Sequence, residues 1–182
     1  MRTSGYVSVL VSLAFASSAW AASGEGSADA PVDAASVLER VYHEREIERL
    51  INDYVWLLGA RDFAAYGRLF SHGVWLAPDG SVLARGADEV EAQARRFLGG
   101  RTDPFVRHLV TNVRIDLAAD ARSATATSFL TTLEGTLGGS AVVYRIARYH
   151  DRFHWIDGRW WFQSRQEITD WVLKERSGSV AP

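Results

Sequence analysis

The spacing of apolar residues changes near residue 74, and this change constrains the fold more than any other feature. Before it, apolar side chains recur at helical spacing on one stripe, formed by Ile47, Leu50, Ile51, Tyr54, Leu57 and Leu58. After it come strand-like runs at residues 74–77, 81–84, 107–117, 123–133, 141–156 and 159–171, with a short helical pattern at 87–98. Helices followed by a long series of strands indicate an α+β protein, in which a curved antiparallel sheet wraps on the N-terminal helices.

Short polar residues mark where the elements begin and end. Asp33 is an expected N-cap of the first helix, and Gly59 is expected to end it. Asp62 follows at once and is suited to cap a second helix. Asp157-Gly158 predicts a two-residue hairpin turn before the last strand.

The N-terminus is typical of a secretory signal peptide. Arg2 gives a short positive region, residues 6–16 are apolar, and residues 19–21 follow the small-x-small pattern of a cleavage site. The alternative is an uncleaved membrane anchor, but the apolar run is too short to span a bilayer comfortably. We therefore predict a signal peptide at residues 1–21, and a mature protein that is periplasmic or secreted and not bound to the membrane.

The rest of the chain is expected to hold one domain. Residues 22–36 are mostly small or polar and predict a flexible tether. The domain is predicted at residues 37–174, followed by a frayed tail at 175–182.

Composition excludes several classes of function. The 182 residues have a net charge of −2, which gives no basic surface for nucleic acid. The absence of cysteine excludes disulfides, thiolate catalysis and cysteine metal sites. His150 and His154 would lie about 13 Å apart on one strand face, too far for one metal ion, and His43 and His72 are expected at exposed positions. No dinucleotide, Walker or GxSxG motif is present, so we predict neither a metal nor any other cofactor.

A set of short motifs gives the sequence a family resemblance. In chain order they are Tyr54, Asp62 and Leu69-Phe70, then His108 and Asn112, then Asp157-Gly158-Arg159-Trp160. Over residues 40–172 this order resembles the SnoaL-like domains of the NTF2-like superfamily. The resemblance implies a cone-shaped fold that holds one small apolar molecule in a pocket. It also implies a homodimer or homotrimer, in line with the mixed apolar and basic pattern of residues 141–156.

The nearest functional resemblance is to the branch of hexachlorocyclohexane dehydrochlorinase and scytalone dehydratase. That resemblance implies that His108 abstracts a proton, Asp62 orients its ring, and Arg165 stabilises the developing negative charge. Leu57 stands where the dehydrochlorinase pattern has a lysine, so this sequence departs from that pattern at one position.

Each candidate also has a structural explanation. Asp62 can act as a helix N-cap, and it serves both roles if one oxygen caps while the other faces the pocket. His108 can be a half-buried strand residue, and Arg165 can form a surface ion pair with Glu167. Tyr54 can donate a hydrogen bond to a ligand or belong to the core.

Strand alternation extends the candidate binding site. His108 and Asn112 are four residues apart and are expected on one side of their strand. Arg165 is expected to share a face with Trp161 and Gln163. Asn112 and Trp161 are therefore candidate substrate-binding residues, and aromatic side chains in the strands either line the cavity or fill it.

Two classes of function remain open. The first is a cofactor-independent lyase or isomerase that acts on a small apolar molecule by proton abstraction. The second is a non-catalytic binding protein that uses the same pocket to carry a ligand. A third hypothesis is a structural subunit resembling the small subunit of ring-hydroxylating dioxygenases, which export disfavours.

Overall fold

The computed structural model describes residues 33–99, 105–136 and 138–173, so the predicted signal peptide and the tail lie outside the described residues. Its helices are α1 (Ala34–Ala60), α2 (Phe63–Arg68) and α3 (Gly86–Ala94), and α3 continues into a π-helical turn at Arg95–Gly99. Residues 34–36, placed in the tether by sequence, belong to α1. None of these helices combines the length and the apolar character that crossing a membrane requires.

The described residues form one curved, six-stranded sheet. Its strands are β1 (Val74–Leu76), β2 (Val82–Arg85), β3 (Phe105–Leu117), β4 (Ser123–Gly135), β5 (Ala141–Ile156) and β6 (Arg159–Val172). They lie in the order β2-β1-β6-β5-β4-β3. The predicted α+β arrangement is confirmed, with one difference: β1 runs parallel to β6, whereas the other neighbours are antiparallel.

The predicted caps and turn are present. The side chain of Asp33 accepts hydrogen bonds from two backbone N–H groups in the first turn of α1. Helix α1 runs one residue beyond Gly59, because Arg61 adopts the left-handed conformation (φ 61°) that ends it. Asp157 and Gly158 both have positive φ, 49° and 78°, as a two-residue hairpin turn of this kind requires.

The core forms where α1 and α2 pack on the inner face of the sheet. Its largest fully buried apolar and aromatic side chains are Tyr54, Tyr66, Tyr149, Phe70, Phe153, Phe162, Ile47, Ile51 and Leu130. The ring of Phe70 stacks on that of Phe162 with centroids 4.9 Å apart, which joins the segment after α2 to β6. The helical stripe read from the sequence therefore faces the sheet.

His43 is buried, contrary to the expectation that it is exposed. Its Nδ1 atom accepts a hydrogen bond of 3.1 Å from the indole Nε1 of Trp160, and its ring makes an edge contact with Trp155. A buried indole N–H needs an acceptor, and the first helix supplies it across the domain. This contact joins α1 to the β5–β6 hairpin.

We expect His43→Phe to lower the free energy of unfolding by about 1–3 kcal/mol, because it leaves the Trp160 N–H buried without an acceptor. Urea denaturation followed by circular dichroism measures the change. The matched control is Tyr42→Phe at the exposed neighbouring position, which should stay within about 0.5 kcal/mol of the unchanged protein. Equal stability of the two variants would contradict this role of His43.

The outer face of the sheet carries exposed apolar side chains at the end where β3 begins. Leu109, Thr131, Ile146 and Trp171 are neighbours across four strands, and Leu109 and Trp171 are exposed. The homodimer or homotrimer stays a prediction, which analytical ultracentrifugation of the full chain tests.

Candidate active site on the inner face of the sheet

The inner face of β4 changes from small apolar residues to polar ones along its length. Ala124 and Ala126 are followed on the same face by the buried polar residues Ser128, Thr132 and Glu134, with the buried Leu130 between Ser128 and Thr132. Buried polar groups are stable where they find hydrogen-bond partners, and a buried polar group without one calls for a specific explanation such as a ligand or water. This half of the inner face is therefore the candidate location of a functional site.

The central feature of this face is a fully buried ion pair. The Nε atom of Arg165 donates to Oδ1 of Asp151 at 2.7 Å, and its Nη2 donates to Oδ2 at 2.6 Å. Both side chains are 0% exposed, and the two residues are direct partners across β5 and β6. The paired geometry fixes the guanidinium plane in the interior.

Aromatic rings enclose the guanidinium. Its central carbon lies 4.0 Å from the ring centroid of Tyr54, 4.0 Å from that of Tyr149, and 4.6 Å from that of Phe162. Ring faces attract cations, and they also exclude water from the pair. Helix α1 supplies Tyr54, so the helix closes the site over the sheet.

Burial and pairing act in opposite directions on the two charges. Burial alone lowers the pKa of Arg165, but the charge and hydrogen bonds of Asp151 outweigh it and raise that pKa. Burial raises the pKa of Asp151, and the charge of Arg165 offsets only part of this. The guanidinium therefore stays protonated, whereas the carboxyl group takes a proton more readily than an exposed aspartate.

Three buried tyrosines surround the pair. Burial raises the pKa of Tyr54, and it raises the pKa values of Tyr66 and Tyr149 well above the ordinary value. All three phenols therefore remain neutral at physiological pH. They are suited to donate hydrogen bonds and not to act as bases.

Arg165 retains one unused donor atom. Its Nη1 atom is buried and has no hydrogen-bond partner among the described residues. A buried charged donor without an acceptor is unfavourable unless a ligand or water occupies the position in front of it. This atom can hold an oxygen of a bound molecule.

His108 lies on the same inner face as Arg165. It is half-buried on β3 and faces Thr132 across β3 and β4, and Thr132 faces Arg145 on β5. Arg145 forms an ion pair with Glu167 of β6. A polar row therefore crosses the sheet from the imidazole to the strand that carries Arg165.

Comparison with known sequences identifies the family. The SnoaL-like domain matches residues 39–166, the greater part of the chain. The chain belongs to the SnoaL-like family. The resemblance inferred from the motifs is thereby confirmed, although no curated protein sequence matches this SnoaL-like protein.

Solved structures share its fold. A structure of LinA has a TM-score of 0.65 at 19% identity, covering 81% of this chain and 99% of LinA. A scytalone dehydratase-like protein from Novosphingobium aromaticivorans has a TM-score of 0.64 at 19% identity, covering 80% of this chain and 96% of that protein. ActVI-ORFA from Streptomyces coelicolor has a TM-score of 0.60 at 23% identity, covering 70% and 97%. At these identities the likeness shows the NTF2-like α+β fold alone.

Asp62 caps α2 in this SnoaL-like protein. Its Oδ1 atom accepts a hydrogen bond of 2.9 Å from the backbone N–H of Ala65, and its side chain is exposed. The capping explanation is confirmed, and the pairing of Asp62 with His108 stays a prediction.

Strand irregularities move two of the predicted binding residues. Asn112 has a φ of 53° and lies at a bulge in β3, where its side chain is exposed. A second bulge, at Gln163 in β6, breaks the alternation between Trp161 and Arg165. Trp161 therefore lies on the outer face, and the expectation that it shares a face with Arg165 is wrong.

Sequence reasoning missed Asp151. It did not select an acidic residue between Tyr149 and Phe153 on the apolar side of β5, although an acid at such a position signals a buried partner. Arg165 pairs with Asp151 and not with Glu167, which lies two residues further along β6. The surface ion pair that was the alternative for Arg165 is thereby excluded.

Within residues 33–99, 105–136 and 138–173, no three His, Asp or Glu side chains come together as a metal site would require. The inner face instead offers donors, namely the guanidinium groups of Arg165 and Arg145 and several phenols, together with one half-buried imidazole.

Proposed function

We propose that this SnoaL-like protein is a cofactor-independent lyase or isomerase, in which Arg165 holds an oxygen of a small, largely apolar substrate. The observation that carries the proposal is the buried Nη1 donor of Arg165, which has no hydrogen-bond partner among the described residues and belongs to a guanidinium enclosed by aromatic rings. Donors fixed in a dry site stabilise the negative charge that develops on a carbonyl oxygen or a leaving group. The rings around the donor suit an apolar molecular body.

His108 is the proposed base. An imidazole changes charge near neutral pH and can take a proton from a carbon next to a carbonyl group. It lies on the same inner face as Arg165, three strands away and in a different cross-strand row, so the proposed substrate has to reach from the imidazole to the guanidinium. Tyr54 contacts the guanidinium and is the proposed second donor to the substrate oxygen.

The neighbouring structures support the reaction class. One of them is a scytalone dehydratase-like protein, and LinA is a hexachlorocyclohexane dehydrochlorinase. Both of those names denote eliminations. We carry the class over to this chain as part of the proposal, without the substrate.

We expect His108→Gln to lower kcat by about a hundredfold or more, because general-base catalysis contributes about 10²–10⁴-fold. Turnover is measured on scytalone, hexachlorocyclohexane and small cyclic hydroxyketones, with deuterium uptake from D₂O as a second readout of proton abstraction. The matched control is His150→Gln on the outer face, which should keep the rate of the unchanged protein. Wild-type rates in His108→Gln would exclude this base.

A substitution at Asp62 tests whether Asp62 and His108 act together as a catalytic pair. If Asp62 orients the imidazole, Asp62→Asn keeps the helix cap, since asparagine caps about as well, and yet lowers kcat. Unchanged kcat in Asp62→Asn with loss in His108→Gln assigns the base role to His108 alone.

The second candidate is a non-catalytic carrier of an apolar ligand, which the exposure of Asp62 favours. A carrier binds its ligand with little pH dependence and does not turn over the test substrates named above. An enzyme shows a rate that depends on a group titrating near neutral pH.

A further inference from the structure

A groove of 570 Å³ lies on the outer side of the sheet, away from the inner site. Arg152 and His154 of β5 line it, and they alternate with the buried Asp151 and Phe153 that face inward. The groove also takes residues from the segment after α2, from the end of β2 and from β6. Its volume lies within the range of sites that hold small molecules.

The lining of this groove is positively charged. Arg85 and Arg152 reach it from different strands, and neither forms an ion pair within the described residues. The lining contains no aspartate or glutamate, although the whole chain has a net charge of −2. Two free guanidinium groups around one concavity attract anions and suit planar, two-point recognition of oxyanions.

Two histidines lie beside the arginines. The ring centroids of His72 and His154 are 6.5 Å apart, and the ring of Trp161 packs at 4.7 Å from that of His72. The Nε2 atom of His154 is buried and has no hydrogen-bond partner among the described residues. When protonated, both imidazoles supply N–H donors only.

The bulge in β6 brings a neutral donor to the same place. Gln163 is the extra residue between the pairs Phe153–Phe162 and Arg152–Ser164, and it lines the groove. Bulges redirect side chains next to binding sites. The groove therefore combines cationic and neutral donors.

We propose that this outer groove binds a phosphate or sulfate group carried on a small organic molecule. Arg85 and Arg152 hold the anionic oxygens, and His72 and His154 add hydrogen bonds. This groove is separate from the site around Arg165 on the inner face, so a test of anion binding does not depend on whether the proposed reaction occurs.

Other charged groups lie near the groove, on α3 and on β6. Glu89 in the first turn of α3 accepts a hydrogen bond of 2.8 Å from the backbone N–H of Arg85, and Asp88 precedes it. On the β6 side, Arg159 stacks on Trp161 at 3.8 Å. Burial lowers the pKa of His154, and the neighbouring His72 lowers it further. A bound anion should raise this pKa again.

Calorimetric titration of the full chain with inorganic phosphate and with phenyl phosphate, at constant ionic strength, tests the proposal. We expect phenyl phosphate to bind at one site and to raise the pKa of His154 measured by NMR. Arg152→Gln should weaken binding by about tenfold or more, because it removes charge-assisted hydrogen bonds to the anion. Arg148→Gln is the matched control, because Arg148 lies on the same face of β5 and pairs with Asp170.

Preferential binding of phenyl phosphate supports an organic ester as ligand, whereas equal binding of both probes supports the free anion and overturns the organic part of the proposal. Absence of binding, or equal loss in Arg148→Gln and Arg152→Gln, overturns the site. The Arg152 side chain is exposed, so its replacement should leave the fold intact, and thermal unfolding of each variant checks this.

Discussion

Replacing Asp151 by alanine is expected to lower the free energy of unfolding by about 3–5 kcal/mol. The substitution leaves the guanidinium of Arg165 fully buried without its two acceptor oxygens. Guanidinium groups do not lose their proton in proteins, so the buried charge has no means of relief. Urea denaturation followed by circular dichroism and by tryptophan fluorescence measures the loss.

Removing the other partner should cost less. In Arg165→Met the buried carboxyl group of Asp151 can take a proton, and burial already raises its pKa in the intact pair. The double variant Asp151→Leu with Arg165→Met removes both charges and should be more stable than Asp151→Ala. This order of stabilities is expected of a buried pair in which the carboxyl group can be neutralised by a proton whereas the guanidinium group keeps its charge.

A partly exposed pair in the same sheet provides the control for Asp151→Ala. Asp170 accepts hydrogen bonds from Arg148, and the two side chains are 17% and 44% exposed, so Asp170→Ala should cost only about 1 kcal/mol. If Asp151→Ala and Asp170→Ala destabilise the protein equally, the buried pair does not organise the inner face as described.

Adding one methyl group at Gly73 is expected to destabilise the protein by about 3 kcal/mol. A Cβ atom there would lie 2.0 Å from the carbonyl oxygen of Phe162, which is backbone in the central part of the sheet. Gly73 also accepts a hydrogen bond from the backbone N–H of Gly86, so it cannot move away freely. The close approach of β6 to the start of β1 therefore requires glycine.

Gly59→Ala is the matched control, with the opposite sign. Gly59 lies within α1, where an added Cβ atom meets nothing within 4 Å. Alanine should stabilise the helix by about 0.5–1 kcal/mol, because glycine loses more backbone entropy on folding. Thermal and urea denaturation of the two variants compares them, and destabilisation by both would contradict the stated cause.

The sequence was a good guide to local structure. The stripe of α1, the caps at Asp33 and Asp62, and the turn at Asp157-Gly158 depend on neighbouring residues, and all are present. The parallel contact of β1 with β6 joins segments about ninety residues apart, and no local pattern encodes it.

The candidate site was predicted in part. Tyr54 and His108 lie on the inner side as the strand and helix patterns indicated, and Arg165 joins them there. Trp161 does not, because a bulge inverts strand alternation, and bulges leave little trace in sequence. Asp151 was not predicted as a site residue for a related reason. A buried acid is identified by the residue with which it pairs, and only the fold brings that residue close.

The sequence by itself determined the α+β class, the helix caps, the hairpin turn and the family, since these follow from short-range periodicity and from motifs in a fixed order. Only the tertiary structure decided which side chains meet. It paired Arg165 with Asp151 inside a ring of aromatic residues, placed Asp62 at the surface, and gathered Arg85, Arg152 and two histidines in one outer groove. Burial and charge pairing depend on distances between residues that are far apart along the chain, and sheet register and bulges set those distances.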